Sequence, residues 1–170
     1  MKIAIIGAGF YGLHLADSLK QLGIDIKVFE AEDDILKKAS GNNQFRLHLG
    51  FHYARNFRTR EQSRLGFHEF LKKYSFLTKK IKENYYLVPK GKSLLDFQTY
   101  KMIMVSSGLS YIECETPTEI QYECGCIKTD ERILKIKNAR EHFYKKLSNE
   151  INLEKKIKIK KYKNENIYLD

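Results

Sequence analysis

The 170-residue sequence contains no apolar run that approaches the roughly 20 residues a helix needs to span a bilayer. It also shows no secretory signal, because its first apolar stretch, Ile3 to Phe10, is interrupted by Gly7 and Gly9 and is not followed by a small-residue cleavage pattern. Internal repeats and low-complexity segments are lacking as well. These absences argue against a membrane or secreted protein, and we expect a cytoplasmic location.

Cysteine is scarce and odd in number, with Cys114, Cys124 and Cys126 as its three occurrences. An odd count suits a reducing compartment better than a disulfide framework. Cys124 and Cys126 are too close for an ordinary structural zinc pair, and the sequence offers no second pair. We therefore expect free thiols that pack as small hydrophobic groups.

Charge is unevenly distributed along the chain, whose net charge is +10. Residues 55–101 carry twelve basic and four acidic side chains. A basic segment of this kind fits nucleic acid, an anionic membrane or a pocket for an anionic substrate. A solvated, lysine-rich helical surface is the more common case, and no nucleic-acid-binding motif is present, so we expect no nucleic-acid partner.

The first thirty residues predict a strand, a helix and a second strand. Lys2–Ile6 is a short β-branched apolar run typical of a strand buried on both faces of a parallel sheet. Apolar residues then recur at helical spacing as far as Leu22, and Gly23 follows as a stop signal. Asp25–Glu30 predicts the next strand. Such a βαβ unit folds right-handed into a parallel sheet.

A GxGxxG fingerprint, Gly7 to Gly12, lies between the first strand and the helix. Gly7 suits the tight turn, Gly9 allows the backbone to approach a pyrophosphate, and Gly12 allows close packing of helix and strand. The helix N-terminus adds a positive dipole for the phosphates. Glu30 follows Gly12 by 18 residues, close to the spacing of about 20 expected for the acid that binds an adenosine ribose. The fingerprint predicts an adenine dinucleotide, and FAD and NAD both remain open at this point.

Further elements are predicted from hydrophobic periodicity and turn signals. Helices are expected at 59–74, at 97–105 and after Thr129 as a cap, the last with Asp130 and Glu131 in its first turn and an apolar stripe of Ile136, Ala139, Phe143 and Leu147. Strands are expected at Tyr85–Pro89 and Glu119–Cys124, and a hairpin at 157–162 and 167–169.

An irregular, amide-rich segment, SGNNQFRLHLGFHY from Ser40 to Tyr53, follows the βαβ unit where a simple NAD dehydrogenase would have a second regular βα unit. Together with the glycine fingerprint it resembles the FAD-dependent oxidoreductases of the D-amino-acid-oxidase type, in which this segment wraps the ribityl and ring region of the flavin. Gly125–Glu131 resembles the passage by which that family returns from its substrate domain to its nucleotide domain. The resemblance implies FAD as the cofactor.

The resemblance implies cofactor-binding residues in the glycine turn, after the second strand and in the following loop: Gly7, Ala8, Gly9, Phe10, Tyr11, Gly12, Glu30, Ala31, Asn42, Asn43, Gln44, Arg46 and His48. The three amides suit ribityl hydroxyls or the flavin pyrimidine edge, although turn amides equally bond their own backbone. In an extended segment Arg46, His48 and His52 share one face, and a histidine there could orient substrate or tune the flavin.

His52, Tyr53 and Arg55 are the substrate-binding candidates, and the last two suit an anionic substrate as well as plain packing and solvation. No carboxylate or cysteine lies near the histidines in the sequence, so no metal site is expected. We identify no catalytic base.

The predicted fold is an α/β, Rossmann-like FAD/NAD(P)-binding βαβ half-fold with part of an inserted α+β substrate domain. Residues 1–56 would form the dinucleotide-binding unit and its flavin-contacting loop, residues 57–125 a partial substrate domain, and residues 126–170 the return to the nucleotide domain. The resemblance covers only the first half of the family fold. It implies that the closing strands, most of the substrate pocket and a C-terminal glycine motif belong to a second half, in this protein's continuation or in a second chain.

The expected function is oxidation of an amine or hydroxy-acid-like substrate by hydride transfer to FAD, and whether this chain catalyses it alone or as a truncated or split half stays open. Three alternatives stay open. The first is a non-catalytic nucleotide-binding fragment or subunit. The second is a non-redox flavin enzyme, because the Arg46-Leu-His-x-Gly-x-His52 pattern also resembles UDP-galactopyranose-mutase-like flavoproteins. The third is an NAD-dependent dehydrogenase.

Overall fold

A computed structural model describes residues 2–163 and 166–169, with side chains described as far as residue 158. Its strands and helices are, in chain order, β1 (Lys2–Ile6), α1 (Phe10–Gln21), β2 (Asp25–Phe29), β3 (Arg46–Leu47), α2 (Phe57–Tyr74), β4 (Thr78–Lys80), β5 (Tyr85–Pro89), α3 (Phe97–Ser106), β6 (Ile112–Cys114), β7 (Cys124–Lys128), β8 (Arg132–Leu134), α4 (Ile136–Leu147), β9 (Ile151–Asn152), β10 (Ile159–Lys163) and β11 (Asn166–Leu169). Short 3₁₀ helices lie at Phe51–Tyr53 and Ser75–Leu77.

The chain divides into two compact units. The first unit consists of Met1–Phe45 and Lys135–Asp170, and the second of Arg46–Leu134. The sequence places domain boundaries after residues 56 and 125, and it assigns each domain a functional role. These domains stay a prediction.

The first unit contains the predicted βαβ arrangement. β1 and β2 pair in parallel from Lys2 opposite Asp25 to Ile6 opposite Phe29, and β9 adds a third parallel strand beside β2. α1 and α4 pack on this sheet through fully buried side chains: Leu13, Ala16, Ala139, Phe143 and Leu147. The rings of Phe10 and Phe143 meet edge to face, with centroids 5.3 Å apart. The Rossmann-like α/β class is confirmed. The predicted apolar stripe of α4 is buried at Ala139, Phe143 and Leu147, and β10 and β11 pair as the predicted C-terminal hairpin.

One prediction about β1 is wrong. The sequence suggested burial on both faces, but Ile5 is buried on the α1 side whereas Ile6 is 54% exposed. Among the described residues β1 pairs with β2 alone, so it forms an edge of this three-stranded sheet. The face that carries Ala4 and Ile6 is open because both helices of the unit lie on the other side.

The second unit contains two antiparallel sheets, ordered β3-β8-β4 and β5-β7-β6. α3 packs against one face of the second sheet around a core of buried residues: Phe51, Val88, Tyr100, Met104, Leu109 and Ile127. Gly125 makes this packing possible, because a Cβ at that position would lie 2.0 Å from a ring carbon of Phe97. α2 and α3 begin where the sequence supplies caps, since Asn56 accepts a hydrogen bond from Thr59 N and Asp96 accepts one from Thr99 N.

Two predicted elements differ from the structure. Glu119–Cys124 is not a strand, because β7 begins at Cys124 and pairs with β5 and β6 only from there to Lys128. The alternating pattern before it lies in a turn-containing segment that no strand pairs with. Thr129 does not cap α4 either. The strand β8 intervenes, α4 begins at Ile136, and the Thr129 hydroxyl accepts a hydrogen bond from Asn84 at 2.6 Å.

In the described part of the chain, no helix combines the length and the apolar character that crossing a membrane requires.

Candidate functional site

The turn between β1 and α1 has the geometry that the glycine fingerprint predicts. Gly7 has a positive φ of 102°, a backbone conformation that favours glycine, and its N–H donates to Phe29 O at 2.7 Å. A Cβ on Gly12 would lie 2.1 Å from Gly7 O, so any other residue would push α1 away from the turn. Gly7 and Gly12 are therefore required by local backbone geometry.

The N-terminus of α1 is suited to an anion. Its N-cap is Gly9, which has no side chain to cap the helix, and its first turn contains no acidic residue. The first-turn N–H groups of an α-helix lack intrahelical partners and carry the positive end of the dipole. Phe10 N donates to the Ser40 hydroxyl at 3.0 Å, which brings the loop that follows β2 to this helix end. The arrangement can bind a pyrophosphate.

Glu30 lies next to this turn and is 9% exposed. Its Oε2 accepts a hydrogen bond from Ala8 N at 2.7 Å, and its Oε1 accepts one from Glu32 N at 3.0 Å. The carboxylate thus fixes the end of β2 to the glycine turn. Each carboxylate oxygen has a second lone pair, which leaves capacity for a ribose hydroxyl. Binding of ribose by Glu30, with the exposed Ala31 beside it, stays a prediction.

The amides of the following loop bond their own backbone. Asn43 Nδ2 donates to Ala39 O at 2.9 Å, and Asn43 Oδ1 accepts from Phe45 N at 2.7 Å. Asn42 Nδ2 donates to Lys38 O at 3.2 Å, while Gln44 is exposed. These contacts match the turn alternative that the sequence left open. The predicted ribityl contacts of the three amides would require their reorientation.

In the second unit, Glu131 is the centre of a polar cluster that the sequence did not predict. The residue is fully buried, and its carboxylate accepts hydrogen bonds from Arg46 Nη2 at 2.9 Å, Leu49 N at 2.7 Å and the Tyr86 hydroxyl at 2.8 Å. Arg46 Nη2 also donates to Asn84 Oδ1 at 2.8 Å. We call Arg46, Asn84, Tyr86 and Glu131 the Glu131 cluster.

The charge state of the cluster follows from these contacts. Burial alone would raise the pKa of Glu131, but interactions with His48, the Tyr86 hydroxyl and Leu49 N outweigh it and hold the pKa below its usual value. Burial and the nearby Glu131 charge raise the pKa of Tyr86 far above its ordinary range. Glu131 is therefore a carboxylate and Tyr86 a neutral hydroxyl donor at neutral pH.

His48, His52 and Tyr53, all predicted site residues, lie together beside the cluster. Ring centroids are 5.9 Å apart for His48 and His52, and 5.5 Å apart for His52 and Tyr53. His48 Nδ1 lies 3.6 Å from Glu131 Oε2, beyond hydrogen-bond distance but within reach of charge attraction. In the described residues, His48 Nδ1 and Arg46 Nε are buried nitrogens without a hydrogen-bond partner. No group of three or more metal-ligating side chains occurs in that part of the chain.

A cavity of about 430 Å³ in the second unit brings all three predicted substrate residues into one lining, which includes His52, Tyr53, Arg55, Asn56, Tyr86 and Tyr100. Aromatic rings and hydroxyl groups form much of this lining, and Arg55 contributes an exposed positive charge. A cavity of this size and character can accept a small anionic molecule.

Arg60 supports the turn that carries the cavity residues. It is only 4% exposed, unlike a solvated member of the basic segment. Its Nε donates to the Ser107 hydroxyl at 2.7 Å, and its Nη1 donates to Tyr53 O at 3.0 Å and Ala54 O at 2.9 Å. Its position on α2, seven residues before the buried Phe67, was the available sequence signal for its burial.

Sequence comparisons agree with the geometry of the first unit. The chain matches the FAD dependent oxidoreductase family over residues 2–99. An FAD-dependent monooxygenase of Fusarium mangiferae is 44% identical over 157 residues, which cover 92% of this chain and 42% of that protein. The FAD-dependent monooxygenase kojA of Aspergillus flavus is 39% identical over 74 residues, 44% of this chain and 17% of that protein.

Solved structures share the fold. L-Proline dehydrogenase from P. horikoshii superposes with a TM-score of 0.65 at 18% identity, over 98% of this chain and 47% of that one. An FAD dependent oxidoreductase from Pseudomonas aeruginosa gives 0.57 at 13% identity, over 95% of this chain and 40% of that one. The chain thus spans less than half the length of these relatives. The predictions of family and of FAD are confirmed: the chain belongs to the FAD-dependent oxidoreductases.

Proposed function

We propose that the first unit binds the nucleotide part of FAD at the turn between β1 and α1. The observation that carries this proposal is the close approach of α1 to the turn, since a Cβ on Gly12 would lie 2.1 Å from Gly7 O, together with an N-cap, Gly9, that has no side chain to cap the helix. In this arrangement the N–H groups at the start of α1 bind the pyrophosphate, and Gly9 lets it approach the backbone. Glu30 accepts a hydrogen bond from the adenosine ribose while it keeps its bonds to Ala8 N and Glu32 N.

The proposed reaction is removal of a hydride from a small amine or hydroxy-acid-like substrate. FAD, when bound, supplies the two-electron acceptor. The cavity in the second unit binds the substrate, where Arg55 attracts its carboxylate and the aromatic lining excludes water from its carbon chain. His52 contributes an imidazole to that lining, and we propose that it accepts the proton that the substrate nitrogen or oxygen loses.

A second candidate, oxygen insertion, is favoured by the curated relatives, which are named FAD-dependent monooxygenases. It requires the same FAD-binding turn and the same substrate cavity. The two candidates differ in their products: an oxidase or dehydrogenase removes two hydrogen atoms from the substrate, whereas a monooxygenase adds one oxygen atom to it.

We propose further that catalysis requires the part of the family fold that this sequence does not cover, supplied by further sequence or by a second polypeptide. Two observations support this. The chain covers 42% of its Fusarium relative, and the open face of β1 exposes Ile6, an apolar side chain that a further layer would bury. We place the working enzyme in the cytoplasm, where the three thiols stay reduced under ordinary conditions.

The test is to titrate the purified chain with FAD and then add amino acids and hydroxy acids one at a time without oxygen. Loss of the visible flavin absorbance on adding a substrate would support the proposed reaction, and mass spectrometry after admission of air would separate it from oxygen insertion. Bound FAD that no substrate bleaches is expected if catalysis needs the uncovered part. Substrate oxidation by this chain alone would overturn that requirement, and failure to bind FAD would overturn the assignment of the glycine turn.

A further inference from the structure

Two of the three cysteines face each other across neighbouring strands of the second unit. Cys114 in β6 lies directly opposite Cys126 in β7, and their Sγ atoms are 3.3 Å apart. Both thiols are free. Directly opposite residues of an antiparallel pair have Cα atoms about 4.5–5.5 Å apart, within the range of disulfides, and an S–S bond requires the sulfurs to approach to about 2.05 Å. A small side-chain rotation is therefore enough to join them.

The third cysteine is in a different position. Cys124 precedes Cys126 by two residues on the same face of β7, and its Sγ lies 3.3 Å from the Thr116 hydroxyl. Thr116 also donates a hydrogen bond to Cys124 O at 3.0 Å, so its side chain lies beside Cys124. Cys126 thus has a thiol as its neighbour, whereas Cys124 has a hydroxyl.

We propose that Cys114 and Cys126 form a reversible disulfide when the protein meets a hydroperoxide oxidant, and that this bond ties the short edge strand β6 to β7. The pair is a modification site within the second unit and does not depend on the proposed FAD chemistry.

The reaction balances in two steps. The Cys114 thiolate attacks one oxygen of hydrogen peroxide, the O–O bond breaks, and Cys114 becomes a sulfenic acid as hydroxide leaves and is protonated to water. The Cys126 sulfur then attacks the Cys114 sulfur, the S–O bond breaks, and the Cys126 proton leaves with the hydroxyl group as a second water. Two thiols lose two electrons in total, and the peroxide gains them.

The surroundings of the two cysteines explain why Cys114 reacts with the peroxide first and Cys126 reacts second. Cys114 is partly exposed and can meet the oxidant, whereas Cys126 is only 2% exposed. Burial, with the neighbouring Cys114, raises the pKa of Cys126 to about 12, which makes it a poor first nucleophile. Cys126 therefore resolves the sulfenic acid that forms on Cys114, and a dithiol reductant reverses the bond.

The sequence makes a direct test possible. No Lys or Arg lies between Cys114 and Cys126, so trypsin leaves all three cysteines in one peptide, but cleavage after Glu115 and Glu123 separates Cys114 from the other two. The purified chain is treated with hydrogen peroxide, its remaining thiols are alkylated, and it is digested with trypsin and a glutamate-specific protease. Without reductant, the Cys114 peptide should appear linked to the Cys124–Lys128 peptide, and reduction should release both.

Cys124→Ser is the matched control, because it removes a thiol from the same strand and face. It should keep the linked peptide, and the loss of two thiols on oxidation should remain complete. Cys114→Ser should abolish the linked peptide. Because Cys114 is partly exposed, we expect this variant to fold. Oxidation should also raise the Tm by about 5 °C, and reductant should reverse that rise. Three intact thiols after peroxide treatment, a link that disappears in Cys124→Ser, or irreversible overoxidation of Cys114 would each overturn the proposal.

Discussion

Glu30 in the first unit and Glu131 in the second are both buried carboxylates, but they accept hydrogen bonds from different kinds of donor. Glu30 accepts bonds from the backbone N–H groups of Ala8 and Glu32, so it fixes the shape of one turn. Glu131 accepts bonds from two side chains and one backbone N–H, and it joins β3, β5 and the segment before β8. One carboxylate shapes a local turn that can bind a nucleotide, whereas the other holds distant segments together.

The largest expected effect comes from removal of the Glu131 carboxylate. Glu131→Ala leaves Arg46 without its charge partner and leaves the Tyr86 hydroxyl and Leu49 N without an acceptor, so we expect a loss of about 3 kcal/mol in the free energy of unfolding. Urea unfolding followed by circular dichroism measures it. Glu69→Ala is the control, because that carboxylate is exposed and forms a surface ion pair with Lys72, so its removal should cost less than about 0.5 kcal/mol. Equal losses in the two variants would contradict the role of Glu131.

The next effect tests the glycine turn. Gly12→Ala places a methyl group in contact with Gly7 O and should cost about 2 kcal/mol, the usual penalty for forcing a group into a packed region. Gly66→Ala is the matched control, because that glycine lies in α2 with open space around its Cβ position. The control should be stabilised by about 0.5–1 kcal/mol, since alanine is the better helix former. Thermal unfolding of both variants gives the comparison, and a stable Gly12→Ala protein would argue against the tight turn.

A smaller effect is expected at Glu30. Glu30→Gln keeps the size of the side chain, but one of its two terminal atoms becomes an NH₂ group that faces a backbone N–H instead of accepting from it. We expect a loss of about 1–2 kcal/mol in the free energy of unfolding. The amide proton of Ala8 should exchange faster with solvent in the variant, which hydrogen exchange measures. Unchanged exchange at Ala8 would show that the Glu30 contact does not hold the turn.

The smallest effect is a pH dependence of stability that comes from Glu131. The pKa of Glu131 is lowered in the folded protein, so its contribution to stability is present above the ordinary glutamate pKa, near 4.5, and is lost as the pH falls through the lower folded value. Unfolding free energies measured from about pH 6 down to about pH 3 should fall more steeply for the wild-type protein than for Glu131→Gln, which cannot titrate. Parallel curves would contradict the lowered pKa.

The two regions also differ in how far the sequence predicts them. The glycine turn and Glu30 lie within the first 30 residues, where the spacing of the glycines and the helical periodicity specify the local geometry. The structure contains the predicted βαβ unit there. The Glu131 cluster brings together residues separated by up to 85 positions, which no local pattern encodes. The sequence predicts Glu131 in the first turn of a helix that Thr129 caps. The pairing of β8 with β3 and β4 instead places it in a buried loop.

Strand pairing explains the other error as well. Glu119–Cys124 alternates like a strand, but alternation does not specify where pairing begins, and β7 pairs only from Cys124 onwards. Likewise, β1 has the composition of a strand covered on both faces, whereas its exposure depends on which other strands and layers surround it. The composition of each strand is readable from the sequence, but the strands and layers that surround it are not.

The central claim is that the turn between β1 and α1 binds FAD, and the most direct measurement is the dissociation constant for FAD of the wild-type chain, Gly12→Ala and Gly66→Ala, from the quenching of flavin fluorescence. The wild-type chain and Gly66→Ala should bind FAD alike and in preference to NAD, and Gly12→Ala should bind at least about tenfold more weakly, equivalent to about 1.4 kcal/mol. Equal affinity in all three proteins, or tighter binding of NAD than of FAD, would contradict the claim.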